Sequence, residues 1–304
     1  MSSSLREGVA PRAASRGDAS AVAALVRSSE QALTGSSRVG VEDVLDWWGL
    51  LDFADGSWLF EERGDVVAVS WLIRRGDVAE AWGFVHPDRL GRGLGTSLVE
   101  RAETRARALA LRTIRQGALA ADDRAGPFFE ARGYAEVRRF WEMAIELREP
   151  PPVPRLPDGM RIGTFRKEDA PAFHSAATEA FAEEWGFVGL PFDEWWRFRS
   201  QAEDFDPTLW FLVRDGDRVA AVCRCDANRR GGGFVGMLGV RKPWRKRGLG
   251  LALLQHAFGE FYRRGDRRVG LGVDSENPTG ATRLYERAGM RVESEFVVRE
   301  RELA

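Results

Sequence analysis

Cysteine, histidine and tyrosine are scarce in this chain, and net charge is close to nil. Cys223 and Cys225 are its two cysteines, beside three histidines and three tyrosines in 304 residues. Two cysteines one residue apart cannot build a disulfide framework, so a reducing cytoplasm is the expected compartment. In an alternating strand both side chains fall on one face of a sheet, and with no histidine close by they read as packing rather than as metal ligands. The formal net charge of −1 argues against nucleic acid or an anionic membrane as partner, since both ask for a basic surface. No apolar run approaches bilayer length, and Met1 to Arg12 lacks the apolar core of a signal peptide. What is present, 44% hydrophobic and 30% charged residues, is the composition of a globular protein.

The length exceeds the usual range of one domain, so two are expected. Their boundary is a proline-rich stretch, Arg148-Glu-Pro-Pro-Pro-Val-Pro-Arg-Leu-Pro-Asp-Gly159, which can hold neither a helix nor a central strand. The domains expected are thus residues 1–147 and 160–304, with 148–159 as linker. The halves repeat each other. Each enters a helix through a polar segment ending in Asp, at Asp18 and Asp169. Each has a Trp-led hairpin turning on Gly-Asp, at Gly64-Asp65 and Gly216-Asp217, a strong hairpin signal. A strand then ends at Val85 or Val240, a Gly-rich turn leads into a helix, and a short helix stops at Gly133 or Gly289 before a last strand. The order β-α-α-β-β-β-α-β-α-β per half predicts an α/β (α+β) fold, a mixed and mostly antiparallel sheet flanked by helices.

The chemistry concentrates at Val240-Arg-Lys-Pro-Trp-Arg-Lys-Arg-Gly-Leu-Gly-Leu251. A basic, glycine-bearing turn between strand and helix leaves backbone N–H groups pointing outward with the positive helix end behind them, which suits a pyrophosphate. Gly248 and Gly250 remove the Cβ that would obstruct its approach. The turn is not a Walker loop, because no Gly-Lys-Ser/Thr follows, and the Gly-x-Gly-x-x-Gly of dinucleotide binding is absent.

Arg245-x-x-Gly248-x-Gly250 after a strand, followed at a distance by Asn277, Tyr285 and Gly289 on a strand-helix frame, resembles the GNAT superfamily, whose members transfer an acyl group from acyl-CoA to an amine. The tandem layout, with the fuller motif second, is also similar to that of the mycothiol synthases, though no motif fixes that substrate. The resemblance implies that the strand ending at Val240 splays from the one carrying Leu271 and Val273. Acetyl-CoA would then lie in the gap, its pantetheine arm along Leu238, Gly239 and Val240. Its pyrophosphate would rest on the backbone of Arg245, Lys246, Arg247, Gly248, Leu249, Gly250 and Leu251. Asn277 would bond the pantetheine amides and Tyr285 would act as the acid for the departing thiolate. Packing for Tyr285 and a turn role for Asn277 are the competing readings.

The first half keeps the glycines in Val85-His-Pro-Asp-Arg-Leu90-Gly91-Arg92-Gly93-Leu94-Gly95-Thr96. Val85, Gly91, Arg92, Gly93, Leu94, Gly95 and Thr96 are therefore candidates for a second CoA site. Counting back from Gly133, Phe129 stands where Tyr285 stands and Ala121 where Asn277 does; phenylalanine has no proton to give, so this half is expected to be degenerate. His86 reads as a solvated turn residue. The acceptor, a small-molecule or peptide amine, is expected against the early helices of the second half, where Glu183, Glu184 and Trp185 mix carboxylates with an aromatic. Glu183, Glu184 and Asp274 all remain open as the base. No metal is implied. The alternatives are a non-catalytic acyl-CoA-binding module of the same fold, and a nucleotide-binding protein of another fold.

Overall fold

The computed structural model describes residues 11–202 and 205–303; most of the segment Met1 to Arg12 lies outside these. The first repeat runs α1 (Ala19–Thr34), α2 (Val41–Trp47), α3 (Phe53–Gly56), β1 (Ser57–Glu62), β2 (Asp65–Arg75), β3 (Val78–Val85), α4 (Leu94–Ala108), β4 (Thr113–Leu119), α5 (Ala125–Glu130) and β5 (Ala135–Glu146). The second runs β6 (Met160–Thr164), α6 (Ala170–Phe181), α7 (Phe192–Ser200), β7 (Trp210–Asp215), β8 (Arg218–Arg229), β9 (Gly232–Val240), α8 (Leu249–Arg264), β10 (Arg268–Asp274), α9 (Ala281–Arg287) and β11 (Arg291–Glu302). The second repeat follows the expected order. In the first, the opening strand is reduced to a single bridge between Arg12 and Leu59, and α3 is an extra helical turn.

Local chemistry explains these elements. Asp18 and Asp169 each close a helix entry: their carboxylates accept the backbone N–H of Ser15 at 2.7 Å and of Arg166 at 3.0 Å. A cap of this kind is worth about 1 kcal/mol. The first hairpin turns through Arg63 and Gly64, both at positive φ, the geometry that matches strand twist. Buried residues on α8 recur at Leu249, Leu253, Ala257 and Phe261, the four-residue spacing of an apolar stripe. From Val219 to Cys225 every residue of β8 is buried, as required of a strand that contacts α6 and α8. Cys223 and Cys225 share one face, with sulfurs 3.6 Å apart in the core. No described helix is long and apolar enough to cross a membrane.

The chain forms two compact units, but they do not divide at the proline-rich stretch. One unit extends to Arg139 and takes back Glu295 onward; the other is Phe140–Ser294. The reason lies in strand pairing. In the first unit the order is β1-β2-β3-β4-β11, with β11 antiparallel to β4 from Phe296↔Leu119 to Glu302↔Thr113. In the second it is β5-β10-β9-β8-β7-β6, with β5 antiparallel to β10 from Glu146↔Arg268 to Phe140↔Asp274. Each repeat therefore gives its closing strand to the other repeat's sheet. Residues 148–159 do not separate units: Leu147 is buried in the second unit's core and Leu156 packs against it. Within each unit one strand pair is parallel, β3 with β4 and β9 with β10, and the rest are antiparallel.

This exchange makes a direct prediction. A fragment of residues 160–304 lacks Phe140–Glu146 and carries β11 with no partner strand, so by itself it will give no cooperative unfolding transition in circular dichroism. Adding a 1–147 fragment restores one; a cooperative transition for 160–304 alone would contradict the exchange.

Candidate active site

The second unit's cleft begins where its parallel strands part. β9 and β10 pair over Val269↔Gly233, Gly270↔Phe234 and Leu271↔Val235, then separate although they continue to Val240 and Asp274. The β8–β9 register slips between Arg224↔Met237 and Cys225↔Val235, leaving Gly236 as a bulge at the point of parting. Bulges bend the strand that carries them. The gap opens into a cleft of about 590 Å³. Glycines in strand interiors are the sequence signal for such a site. Gly236 and Gly272 line it, as do Phe140 and Phe181; none of these was among the expected residues.

At its mouth, Lys246 and Gly248 are both in the left-handed region, at φ 63° and 82°. Gly248 is the N-terminal cap residue of α8 and is exposed, so the free N–H groups of the first turn are open to a ligand. A Cβ on Gly248 would meet nothing within 4 Å; glycine is needed there for backbone conformation. Gly250 is needed for another reason, since a Cβ would lie 2.9 Å from Leu284 of α9. Arg245 turns inward: it donates to the carbonyls of Val240 and Ala180, each at 3.2 Å, and to Glu183 at 2.8 Å. It braces the loop against the end of α6. Leu238, Gly239, Val240, Arg245, Lys246, Gly248, Leu249, Gly250, Leu251, Asn277 and Tyr285 all line the cleft, whereas Arg247 is exposed outside that lining.

The three acceptor-side candidates separate. Glu183 is exposed and tied to Lys242 at 2.9 Å and Arg245 at 2.8 Å; these cations hold its carboxyl below the ordinary range. It belongs to the loop brace. Glu184 and Trp185 line the cleft. Burial, with a smaller push from Asp274, raises the Glu184 carboxyl above its ordinary value against the opposing bond from Asn277. Asn277 does two things: its Nδ2 donates to Glu184 at 3.1 Å, and its Oδ1 accepts the Thr279 N–H at 2.9 Å, closing a turn. Asp274 accepts the Glu276 N–H at 2.9 Å. His174 bonds the Leu190 carbonyl and His256 packs on Phe211; neither lines the cleft.

Tyr285 is 7% exposed within the core cluster. Burial, then the nearby Glu184 carboxylate, push its phenol well above its ordinary value, so it stays protonated. Its side chain has no hydrogen-bond partner among the described residues. Tyr285 lies on α9, which packs against α8, while Glu184 follows α6. A Cβ on Gly239 would touch Ala180 and Phe181 of α6, and one on Gly233 would strike Phe261 of α8. With the bulge between them, these glycines mark opposite faces of the sheet. The acid candidate and the carboxylate thus approach the gap from opposite sides.

The first unit repeats this frame around a cleft of about 870 Å³ lined by Val85, Gly91, Gly93, Leu94, Gly95, Thr96 and Phe129. Gly91 and Gly93 take the left-handed conformations of Lys246 and Gly248, and β3 pairs with β4 only as far as Ala81↔Gln116. Arg92 does not line the cleft and lies 3.8 Å from Glu62. The turn after β4 corrects the count made from Gly133. Asp122 bonds back to Leu119 as Asn277 does to Asp274, each at 3.0 Å, and its Oδ1 accepts the Arg124 N–H as Asn277 accepts that of Thr279. Asp122, and not Ala121, is the counterpart of Asn277; one extra residue before α9 displaced the count. The phenol buried in this unit is Tyr134, bonded to Gln116 at 2.8 Å and Glu103 at 3.0 Å. His86 accepts the Asp88 N–H at 3.3 Å in its turn.

Two stretches, residues 23–134 and 170–290, match the model of the acetyltransferase (GNAT) family. The chain belongs to the GNAT family. It is 32% identical over 225 residues to a mycothiol acetyltransferase of Geodermatophilus obscurus, covering 69% of this chain and 70% of the relative. A mycothiol acetyltransferase of Thermobispora bispora is 31% identical over 238 residues, covering 74% and 77%. Among solved structures, a GCN5-related N-acetyltransferase from Sphaerobacter thermophilus superposes with a TM-score of 0.84 at 36% identity, covering 99% of this chain and 97% of that one. A tandem GNAT protein from the clavulanic acid biosynthesis pathway shares the fold at a TM-score of 0.73 and 18% identity, covering 98% and 99%. The chain is thus a tandem GNAT acetyltransferase.

Replacing Gly248 tests the cleft mouth. Gly248→Glu puts a strained side chain and a negative charge at the N-terminus of α8, and titration calorimetry will show CoA affinity falling at least ~100-fold, roughly 2.7 kcal/mol. Unchanged affinity would remove the loop from the site.

Proposed function

We propose that the second unit transfers the acetyl group of acetyl-CoA to the amino group of a small molecule, with Tyr285 as acid and Glu184 as base. The observation that carries this reading is the unpartnered Tyr285 side chain in the parted cleft, opposite Glu184. The residues suit the co-substrate. A free helix N-terminus behind Gly248 meets a pyrophosphate, and the backbone of Leu238 to Val240, left by β10, offers amide partners to the pantetheine. Acetyl-CoA supplies an activated thioester. The neutral amine's nitrogen bonds the thioester carbon, and Glu184 takes the proton that the nitrogen then loses. As the carbon–sulfur bond breaks, the Tyr285 hydroxyl gives its proton to the leaving sulfur. A phenol held protonated by burial is available for that step throughout the neutral range.

The acceptor reading draws on the relatives' name, mycothiol acetyltransferase, which points to a small molecule over a peptide. The first unit, with Phe129 in place of the tyrosine, fits a CoA-holding role without catalysis. Two buried, unbridged cysteines suit the cytoplasm.

Tyr285→Phe deletes one hydroxyl and keeps the ring. Positioned proton transfer contributes ~10²–10⁴-fold, and water entering the cleft makes up part of the loss, so stopped-time assays of thiol release will show kcat down about 10²-fold. KM for acetyl-CoA stays within about threefold, because the bond strengthens in the transition state. A rise in KM alone would make Tyr285 a binding residue.

The second measurement is a pH profile. Glu184 must be ionised to accept a proton, and its pKa is raised. At saturating substrates, kcat will therefore fall as pH drops through a value above that of an ordinary glutamate. Glu184→Gln will lower kcat and lose that acidic limb; a limb that persists in the variant belongs to another group.

A further inference from the structure

The two gaps are furnished differently at the point where their strands part. In the second unit β9 and β10 stop pairing at Leu271↔Val235, and the next residues are Gly236 and Gly272. A Cβ on Gly272 would meet nothing within 4 Å, so the space over it is open. In the first unit β3 and β4 stop at Ala81↔Gln116, and the next residues are Trp82 and Gly117. A Cβ on Gly117 would lie 2.5 Å from both Cη2 and Cζ3 of the Trp82 indole. The ring carried by β3 therefore reaches across the gap onto the backbone of β4. A glycine within a strand marks such a close approach.

Strand register fixes the side of the sheet that the indole covers. Trp82 opposes Trp71 across β2 and β3, and directly opposed residues project from the same face. Trp71 stacks on Trp47 of α2, and both tryptophans of the pair belong with Val22 and Leu25 of α1. Gly83, the next residue along β3, looks the other way: a Cβ there would lie 3.6 Å from Leu98 of α4. Phe129 belongs to that α4 side, in one cluster with Val99 and Ala102. The first gap thus has an indole on one side and a phenyl ring on the other, and both line the cleft. Phe296 of β11 backs the indole edge-on, with centroids 6.2 Å apart. Neither ring offers a base. A thioester shut between them would be kept from water and from stray nucleophiles, as closed sites keep reactive groups.

We propose that the first unit holds acyl-CoA as a guarded thioester, with Trp82 as the cover over its acyl group. The proposal rests on the CoA-holding reading of this unit. α1 has the place in the first repeat that α6 has in the second, so the indole closes the side from which Glu184 faces the second gap. Trp82, as well as the missing phenol, keeps the first unit from transferring its acyl group. Phe129→Tyr alone would therefore leave it inactive.

The test uses the full chain. Calorimetry with acetyl-CoA should show two sites in the unaltered chain and one in Gly248→Glu, whose second cleft is closed. Bound acetyl-CoA is then challenged with hydroxylamine, whose nitrogen bonds the thioester carbon and releases the CoA thiol; the acetohydroxamate formed is read by its colour with ferric iron. With Gly248→Glu in excess over acetyl-CoA, the reaction should run at least about tenfold slower than with free acetyl-CoA. Adding Trp82→Ala should return the rate to within about threefold of the free value while the dissociation constant stays within about threefold, which also shows that the variant folds. Trp82→Phe should keep part of the protection. A single site in the unaltered chain, lost in Gly248→Glu, would defeat the CoA-holding reading and the proposal with it. Binding without protection, or protection undiminished in Trp82→Ala, would overturn the cover alone.

Discussion

Two parallel strands hydrogen-bonded along their whole length leave nothing between them for a ligand to use. In the second unit β9 and β10 keep three paired positions and give up the rest. At the parting, Gly236 is an extra residue that shifts the register with β8 by one, and its missing side chain leaves room for the Arg224–Asp226 pair over the bend. Everything beyond follows from that separation. The backbone of Leu238 to Val240 stays paired with β8 and is unpaired on its β10 side, Tyr285 and Glu184 both line the gap, and the loop at Gly248 sits at its mouth. Polar backbone left inside a protein needs partners, and the arm of a CoA molecule is a chain of amides of the right kind.

The two repeats carry the same frame with different residues at one end. The first keeps the parted strands, the left-handed loop residues and the Asx turn, with Asp122 in the place of Asn277. It differs at the reacting end, where Phe129 fills the position of Tyr285 and the nearby phenol, Tyr134, is already bonded to Gln116 and Glu103. The register of β2 with β3 also runs unbroken from Arg75↔Val78 to Ala68↔Val85, without the bulge found in the second repeat.

Much of this was legible in the residues because the signals are local. Gly-Asp turns, helix-ending glycines and the Arg245-to-Gly250 segment each depend on a few neighbouring φ and ψ angles. The strand exchange was not legible. β5 and β11 are closing strands of the same length, and nothing in either one's alternation says which sheet it joins. Nor could the sequence separate Glu183 from Glu184. Adjacent residues at a helix end point apart, and only the position of Lys242, Arg245 and Asn277 around them shows that one braces a loop and the other faces the cleft. The Ala121 count failed for a similar reason, since one added residue in a turn is invisible without the turn's hydrogen bonds.

The crossed-over closing strands also bear on how the molecule comes into being. During synthesis the first unit is almost entirely made by residue 139, yet the strand that covers β4 is residues 296–302. Until those emerge, β4 presents an open edge of unpaired N–H and C=O groups, a template for association with other chains. Contacts across so long a stretch of chain also form slowly. The nascent protein must therefore carry a nearly complete but unsealed half for roughly ten to thirty seconds at ordinary elongation rates, and its neighbours on the ribosome, including chaperones, meet it in that state.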